Sequence, residues 1–252
     1  MDLAVLREDM VDGLEHEVKS VLHTDRVALA MRDVPREAFV ENERVAYTDR
    51  AIEADGTTVL APSTAARLLE ALDVRRDDVV LVVGAGVGYT AAVLAEIVGP
   101  ENVHAVDIDR NMVHTARRNL ADAGYGEVFV DCRDGAGGLP EYAPFDRILI
   151  EAAAVRPPAA LVEQLVAGGR LAMPMGTTDQ TLVALERTED EYEIAERVCP
   201  VAFRPLLVEG QQPGSVERNR TAREDREFAE RHARKRNGWE QEWIDWEHDG
   251  GY

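Results

Sequence analysis

Residues 79–109 read VVLVVGAGVGYTAAVLAEIVGPENVHAVDID and contain a strand, a turn, a helix and a second strand. The apolar run at 79–83 is typical of a central parallel strand, which is buried on both faces. Three glycines follow it: Gly84, Gly86 and Gly88. Glycines in such a turn let the backbone bend sharply and approach a ligand closely. The helix expected from about Tyr89 then directs its positive N-terminus at that ligand.

Asp107 closes the second strand of this stretch, 23 residues after Gly84. A carboxylate at this point can accept hydrogen bonds from both hydroxyls of a ribose. A dinucleotide fingerprint places a third glycine where Tyr89 stands, whereas this chain has the pattern G-x-G-x-G. The spacing therefore favours S-adenosylmethionine over a nicotinamide cofactor. A purely structural βα turn is the alternative, and the flanking strand and aspartate argue against it.

Strand and helix continue to alternate after Asp107, which predicts an α/β fold with a doubly wound parallel sheet. A crossover helix is expected to end at Gly124, and a short helix is expected over 161–169. Further strands are predicted over 127–135, 144–154 and 170–176, before an antiparallel pair over 180–187 and 192–203. Ligands of such sheets bind at the carboxyl ends of the strands, where the glycine turn, Asp107, Asp134 and Glu151 are expected to converge.

The segment before this sheet is predicted to be helical at its start and irregular later. Residues 1 to about 33 show helical spacing of apolar residues, so one or two amphipathic helices are expected against the sheet edge. The residues that carry this spacing are Val11, Leu14, Val18, Val21 and Leu22. An irregular stretch at 34–64 follows, of a length that is usually functional. The next helix is expected to have Ser63 or Thr64 as its N-cap and to bury Leu68, Leu69 and Leu72.

Residues 213–252 differ from the rest in composition and are predicted to form a charged helical extension to a main domain over 1–212. Trp239, Trp243 and Trp246 lie in this extension at i, i+4, i+7 spacing, which forms one apolar stripe on a helix. The stripe is interpreted either as docking on the protein's own core or as an interface with a partner or with a second copy in a homodimer.

The formal charge of −20 argues against nucleic acid as a partner, because the field of the protein repels phosphates. Only Lys19 and Lys235 are lysines, a composition that suggests a high-salt cytoplasm or a GC-rich genome. No apolar stretch reaches membrane-spanning length and no secretory signal opens the chain, so a cytoplasmic location is expected. Cys132 and Cys199 are expected in or near the core, and no cysteine or histidine spacing predicts a metal site.

The order of these pieces resembles the protein-L-isoaspartate O-methyltransferase family over about residues 8 to 207. The matching segments are MVDGL at 10–14, VPREAFV at 34–40, Tyr47 with Asp49, GTTVLAP at 56–62, the glycine turn with its helix, Asp134 with Gly135, PFDRILIEAAA at 144–154, QLVAGGRLAMPMG at 164–176, Gln180 and FRPL at 203–206. The resemblance implies the Rossmann-like sheet of a class I methyltransferase. It also implies an acceptor loop, residues 56–62, within the first 75 residues.

The family's reaction transfers a methyl group from S-adenosylmethionine to the free carboxylate of L-isoaspartyl residues, and so begins the repair of damaged proteins. The resemblance implies that Thr57, Thr58 and Leu60 lie at the acceptor. It assigns ten residues to the cofactor: Gly84, Ala85, Gly86, Val87, Gly88, Asp107, Ile108, Asp134, Gly135 and Glu151. Within this set the glycine turn would hold the methionine portion, Asp107 the ribose, and Asp134 with Gly135 the adenine edge.

The chain departs from the family pattern in the acceptor loop. The family's T-I-S triplet stands here as Thr58, Val59 and Leu60, so a serine hydroxyl is replaced by an aliphatic side chain. The acidic residue before the glycine turn is also replaced, since Val82 and Val83 stand there. Thr57 or Thr58 could supply the hydroxyl. Two alternatives follow: a paralog without repair activity that binds the cofactor and acts as a regulator or adaptor through its tail, and a methyltransferase for another acceptor.

Overall fold

The computed structural model describes residues 2–16, 20–54, 57–189 and 191–206. Its helices are α1 Leu3–Glu15, α2 Asp25–Asp33, α3 Pro62–Leu72, α4 Tyr89–Val98, α5 Arg110–Asp122 and α6 Ala159–Glu163. Its strands are β1 Ile52–Ala54, β2 Thr57–Val59, β3 Val80–Val83, β4 Val103–Asp107, β5 Phe129–Cys132, β6 Phe145–Ile150, β7 Leu165–Met175, β8 Gln180–Arg187 and β9 Tyr192–Val201. None of the helices in these described ranges has the length and apolar character needed to cross a membrane.

Seven strands form the central sheet in the order β5-β4-β3-β6-β7-β8-β9. The first five are parallel, and β8 and β9 join them as antiparallel strands. The chain leaves β3 toward β4 on one side and later returns to β6 on the other, so the strand order reverses at β3. Ligands of doubly wound sheets bind outside the carboxyl ends of the strands at such a reversal. The predicted doubly wound α/β fold and the closing antiparallel pair are confirmed.

Strand β3 lies inside the sheet between β4 and β6, and all four of its side chains are buried. Because successive side chains of a strand point to opposite faces, the strand contributes to two cores. Val80 and Val82 pack with the apolar side chains of α1 to α5, whereas Leu81 and Val83 pack with Phe145, α6 and the inner side of β7. The glycine turn is therefore carried on a strand that is fixed on both faces.

Helices α1 and α2 form where amphipathic helices are expected, but they do not pack against the sheet edge. Helix α2 packs on α4, and α1 packs on α2 and α3. The reason is that α4 is apolar on nearly all sides, so its alanine-rich outer surface is buried against α2 instead of facing water. Val11 and Leu14 are buried in this layer, whereas Val18 lies outside the described residues.

The irregular stretch at 34–64 contains more structure than its sequence predicts. Two short 3-10 helices, Arg36–Phe39 and Glu43–Val45, precede a β-hairpin of β1 and β2. Helix α3 then begins with Pro62 after the N-cap Ala61, so the prediction of a Ser63 or Thr64 cap is wrong. Asp49 takes over this function from the preceding loop, because its Oδ1 accepts a hydrogen bond from Ser63 N at 2.9 Å. Leu68, Leu69 and Leu72 are buried as expected.

Two further expectations are corrected by the structure. The helix predicted over 161–169 ends at Glu163, because Leu165 already pairs with Phe145 at the start of β7. Cys132 is exposed at the end of β5 rather than in the core, while Cys199 is half-buried. The predicted extension over 213–252 with its three tryptophans lies outside the described residues, and its separation from the main domain stays a prediction.

Candidate active site

A cavity of about 430 Å³ opens at the carboxyl ends of β3 and β4. Its volume lies in the range of pockets that hold small-molecule ligands, about 300–1,000 Å³. Twelve of the thirteen predicted site residues line it, all except Gly88: Thr57, Thr58, Leu60, Gly84, Ala85, Gly86, Val87, Asp107, Ile108, Asp134, Gly135 and Glu151. The structure therefore brings the acceptor loop and the glycine turn to the same cavity.

The glycine turn is held by the backbone of β4 and by the carboxylate of Asp107. Gly84 and Ala85 both donate their N–H groups to the carbonyl of Val106, at 2.8 and 3.0 Å. Gly86 N donates to Asp107 Oδ2 at 2.9 Å, and Asp109 N donates to Asp107 Oδ1 at 2.9 Å. Gly84 and Gly86 have φ of +93° and +50°, which a residue with a Cβ rarely adopts. Each oxygen of Asp107 keeps a further lone pair for a ligand hydroxyl.

Gly88 does not line the cavity and instead packs against α5 beside it. It is the N-cap of α4 with φ of +94°, and a Cβ at this position would lie 3.2 Å from the Leu120 side chain. Buried Asn119 on α5 supports the same turn, since its Nδ2 donates to the carbonyl of Val87 at 3.0 Å. Sequence reasoning missed Asn119, although an amide on the apolar face of an amphipathic helix is a signal that can be sought.

The far wall of the cavity is formed by Ile108 and by the turn after β5. Asp134 is the N-cap of a 3-10 helix and accepts a hydrogen bond from Ala136 N at 2.9 Å. Gly135 lies against β3, where a Cβ would meet Val83 Cγ1 at 2.4 Å. Ile108 is 44% exposed, whereas most large apolar side chains among the described residues are buried or half-buried. An exposed apolar side chain beside polar backbone suits the flat ring of a purine.

Glu151 stands at the end of β6, next to the glycine turn. A Cβ at Gly84 would lie 3.5 Å from the Glu151 Cβ, an ordinary contact distance, so the positive φ of Gly84 rather than lack of space favours glycine there. The hydroxyl of Thr90, in the first turn of α4, donates to Glu151 Oε1. Burial raises the pKa of Glu151 to about 7, and the charge of Asp107 acts in the same direction. Burial also raises the pKa of Asp107, against the opposing effect of its backbone hydrogen bonds.

The acceptor loop lies directly against the glycine turn. A Cβ at Gly86 would be 3.7 Å from Thr57 Oγ1. The end of the loop is fixed by Arg36, which is fully buried and donates to the carbonyls of Ala46 at 2.7 Å and Leu60 at 2.5 Å. The Arg36 guanidinium also stacks 4.5 Å from the ring centre of Tyr89. The side chain of Leu60 packs on the apolar core beneath the loop.

Residues 202–206 close the cavity on the remaining side and were missed as site residues. Gln180 fixes them, since Phe203 N donates to Gln180 Oε1 at 2.7 Å and Gln180 Nε2 donates to Phe203 O at 3.0 Å. Ala153 N donates to Arg204 O at 2.8 Å, which ties the segment to the end of β6. The resemblance of Gln180 and FRPL to a family pattern was the available signal for this segment. Within the described ranges, no three histidine, cysteine or acidic side chains come together as metal ligands.

The arrangement of these loops agrees with a comparison of the chain with known protein families. The model of the protein-L-isoaspartate(D-aspartate) O-methyltransferase family matches residues 7–211. The chain belongs to this family. Curated members of similar sequence include the protein-L-isoaspartate O-methyltransferase of Roseiflexus sp. strain RS-1, which is 42% identical over 82% of this chain and 94% of its own length. The enzyme of that name from Aeropyrum pernix is 43% identical over 81% of each chain.

Solved structures of family members share the fold. A protein-L-isoaspartate O-methyltransferase superposes with a TM-score of 0.71 at 27% identity, covering 79% of this chain and 65% of its own. A structure from Plasmodium falciparum in complex with S-adenosyl-L-homocysteine gives a TM-score of 0.69 over 97% of its chain. At 20% identity, this second likeness shows the fold alone.

Family membership confirms several of the sequence predictions. The family itself, the Rossmann-like methyltransferase fold, the O-methyltransferase function and S-adenosylmethionine as the methyl donor are confirmed. The comparisons give no support to a regulatory paralog or to a methyltransferase for a different acceptor. The roles of individual site residues and the high-salt habitat stay predictions.

Proposed function

We propose that this chain transfers a methyl group from S-adenosylmethionine to the free carboxylate of L-isoaspartyl residues in damaged proteins. One observation carries the proposal: the acceptor loop and the glycine turn line a single cavity, with Thr57 beside Gly86. A methyl donor on the turn and an acceptor on the loop would therefore be adjacent. Such positioning is the main requirement of a direct transfer.

The residues of the cavity fit S-adenosylmethionine. The turn from Gly84 to Gly88 offers close backbone approach for the methionine portion, and the free lone pairs of Asp107 suit the ribose hydroxyls. Ile108, Asp134 and Gly135 supply an apolar face and a polar edge for adenine. When bound, the donor supplies an electrophilic methyl group on a sulfonium, and the acidic wall of the cavity suits its positive charge.

For this transfer the protein has to position the donor and the acceptor, and it does not have to supply a general base. A carboxylate is ionised at neutral pH, so the acceptor needs no proton removed before it attacks. Thr57, Thr58 and Leu60 are proposed to hold the acceptor, with a threonine hydroxyl in the place of the family's serine. A cytoplasmic location and the stripe of Trp239, Trp243 and Trp246 as a homodimer or partner interface remain predictions from the sequence.

The proposal is tested by methyl transfer from radiolabelled S-adenosylmethionine to an L-isoaspartyl peptide and to its L-aspartyl twin, in molar salt. Labelled ester on the isoaspartyl peptide alone is the expected result. The affinity for S-adenosyl-L-homocysteine is measured in parallel by calorimetry. Tight binding of this product without any transfer would contradict the proposed acceptor while leaving the proposed cofactor residues standing.

A further inference from the structure

The carboxylate of Glu53 on β1 is shared between two side chains at the mouth of the cavity. Thr58 is its register partner on β2, and Thr58 Oγ1 donates to Glu53 Oε1 at 3.2 Å. Arg204 Nη2 lies 3.6 Å from the other oxygen, Oε2. A hydroxyl hydrogen bond and an ion pair thus meet one carboxylate at its two oxygens, and both groups are of the kind that binds carboxylates.

Thr58 and Arg204 both line the cavity, whereas Glu53 does not. They come from separate segments, since Thr58 lies in the hairpin of β1 and β2 and Arg204 lies in the segment at 202–206 that closes the cavity. The backbone of Arg204 is fixed by Ala153, and that of its neighbour Phe203 is fixed by Gln180. The two groups therefore stand at a defined place, and a carboxylate between them would lie where the acceptor enters.

The charges of the cavity give Arg204 a particular importance. Among the described residues that line the cavity, Arg204 is the only arginine or lysine. The acidic residues in the same lining are Asp107, Asp109, Asp134 and Glu151. An acidic wall attracts a cationic methyl donor but repels an anionic acceptor. An acceptor carboxylate therefore needs a positive group at the mouth.

We propose that Thr58 and Arg204 bind the carboxylate of the acceptor, and that Glu53 occupies this place until the acceptor displaces it. The inference rests on the proposed function and names the residues that replace the missing serine hydroxyl. The side chains of Arg204 and Glu53 are 62% and 78% exposed. Exposed ion pairs contribute little to stability, so the exchange of Glu53 for a substrate carboxylate is easy.

The same arrangement favours release of the product. In the transfer, a carboxylate oxygen forms a bond to the methyl carbon while the carbon–sulfur bond breaks, and the bonding electron pair stays on the sulfur. The acceptor becomes a neutral methyl ester, so its attraction to the Arg204 guanidinium is lost. Glu53 keeps its charge and returns to Arg204 and Thr58.

The test uses the full chain, an L-isoaspartyl peptide and four variants: Arg204→Met, Arg204→Lys, Thr58→Val and Glu53→Gln. We expect Arg204→Met to raise KM for the peptide about tenfold with little change in kcat. Arg204→Lys should raise KM less than Arg204→Met does, because it keeps the positive charge. Thr58→Val should raise KM about threefold. Glu53→Gln should lower KM for the peptide. In the double variant with Arg204→Met, Glu53→Gln should have no such effect on KM. Exposed Arg156→Met and Glu193→Gln are matched controls outside the cavity and should change neither constant.

Peptide binding in the presence of S-adenosyl-L-homocysteine, measured by calorimetry, gives a readout that is independent of turnover. It should weaken in Arg204→Met and tighten in Glu53→Gln. A wild-type enzyme that methylates the peptide while Arg204→Met keeps its KM and peptide affinity would overturn the inference alone. A wild-type enzyme that neither binds nor methylates the peptide would overturn the proposed function, and this inference with it.

Discussion

At the scale of single residues, Asp107 joins the glycine turn to the proposed ribose site. Asp107→Ala removes the acceptor of Gly86 N and the proposed acceptor of the ribose hydroxyls. We expect the dissociation constant for S-adenosyl-L-homocysteine to rise about tenfold or more, a loss of about 1.4 kcal/mol. Calorimetry measures it, with exposed Asp122→Asn as the control. An unchanged affinity would remove Asp107 from the cofactor site.

Glu151 is expected to make stability depend on pH. Its pKa is about 7 in the folded protein, above the ordinary value of 4.5, so the folded state holds a proton that the unfolded state has released between these values. The free energy of unfolding should therefore fall by roughly 3 kcal/mol from pH 4.5 to 7 and then level off. Urea unfolding of Glu151→Gln should show a flatter profile and a more stable protein at pH 8. An identical profile in both proteins would contradict the shift.

Substitutions of Leu60 measure how much a hydroxyl in the acceptor loop contributes to kcat/KM. Leu60→Ser restores the family's triplet, and a hydrogen bond to a charged carboxylate contributes about 1.5–3 kcal/mol. Leu60→Ser and Leu60→Ala both lose the packing of Leu60 on the core, so the comparison between them isolates the effect of the hydroxyl. We expect kcat/KM for an isoaspartyl peptide to be about tenfold or more higher in Leu60→Ser than in Leu60→Ala. Equal values in the two variants would mean that the hydroxyl has no part in acceptor binding.

Those parts of the candidate site were predictable whose residues lie close together in the sequence and show a characteristic spacing. Gly84, Gly86 and Asp107 line the cavity as predicted, because their spacing along one βαβ unit brings them to the same edge of the sheet. Arg204 was not singled out, because its proximity to Thr58 arises only when segments far apart in sequence meet. Gly88 is predicted to bind the cofactor, but it does not line the cavity and packs against α5, since a pattern of glycines does not show what each one touches.

At the scale of elements, the start of α3 depends on the loop that precedes it. Asp49 Oδ1 accepts the hydrogen bond from Ser63 N that a side-chain N-cap would normally take. Asp49→Ala should lower the free energy of unfolding by about 1 kcal/mol, and Asp49→Asn by less, because an amide oxygen still accepts. Chemical denaturation measures the difference, and an equally large loss in both variants would indicate a role for the charge itself.

The long helices and the central strands were predictable because their periodicity is strong over many residues. The hairpin of β1 and β2 was not, since two three-residue strands carry too few residues for a pattern. The packing of α1 and α2 was also missed. Their apolar stripes show that one face is buried, but only the buried alanine-rich surface of α4 decides what that face covers.

At the scale of the whole molecule, the two cores draw on positions 10 to 206 among the described residues, and the family model matches residues 7–211. A chain of residues 1–212 should therefore fold and bind S-adenosyl-L-homocysteine with the affinity of the full chain, within about twofold. Circular dichroism and calorimetry on the two proteins test this division. Loss of cooperative unfolding in the shorter chain would show that the extension over 213–252 belongs to the core.

In the active-site cavity, Ala85 in the glycine turn is 2% exposed, whereas the side chain of Arg204 at the mouth is 62% exposed. This difference between the inner part and the opening has a consequence for the order of binding. The methyl donor must occupy the inner part before a peptide covers the opening, and the spent donor can leave only after the peptide has gone. Catalysis should accordingly follow a compulsory order, in which S-adenosyl-L-homocysteine competes with the methyl donor but not with the peptide.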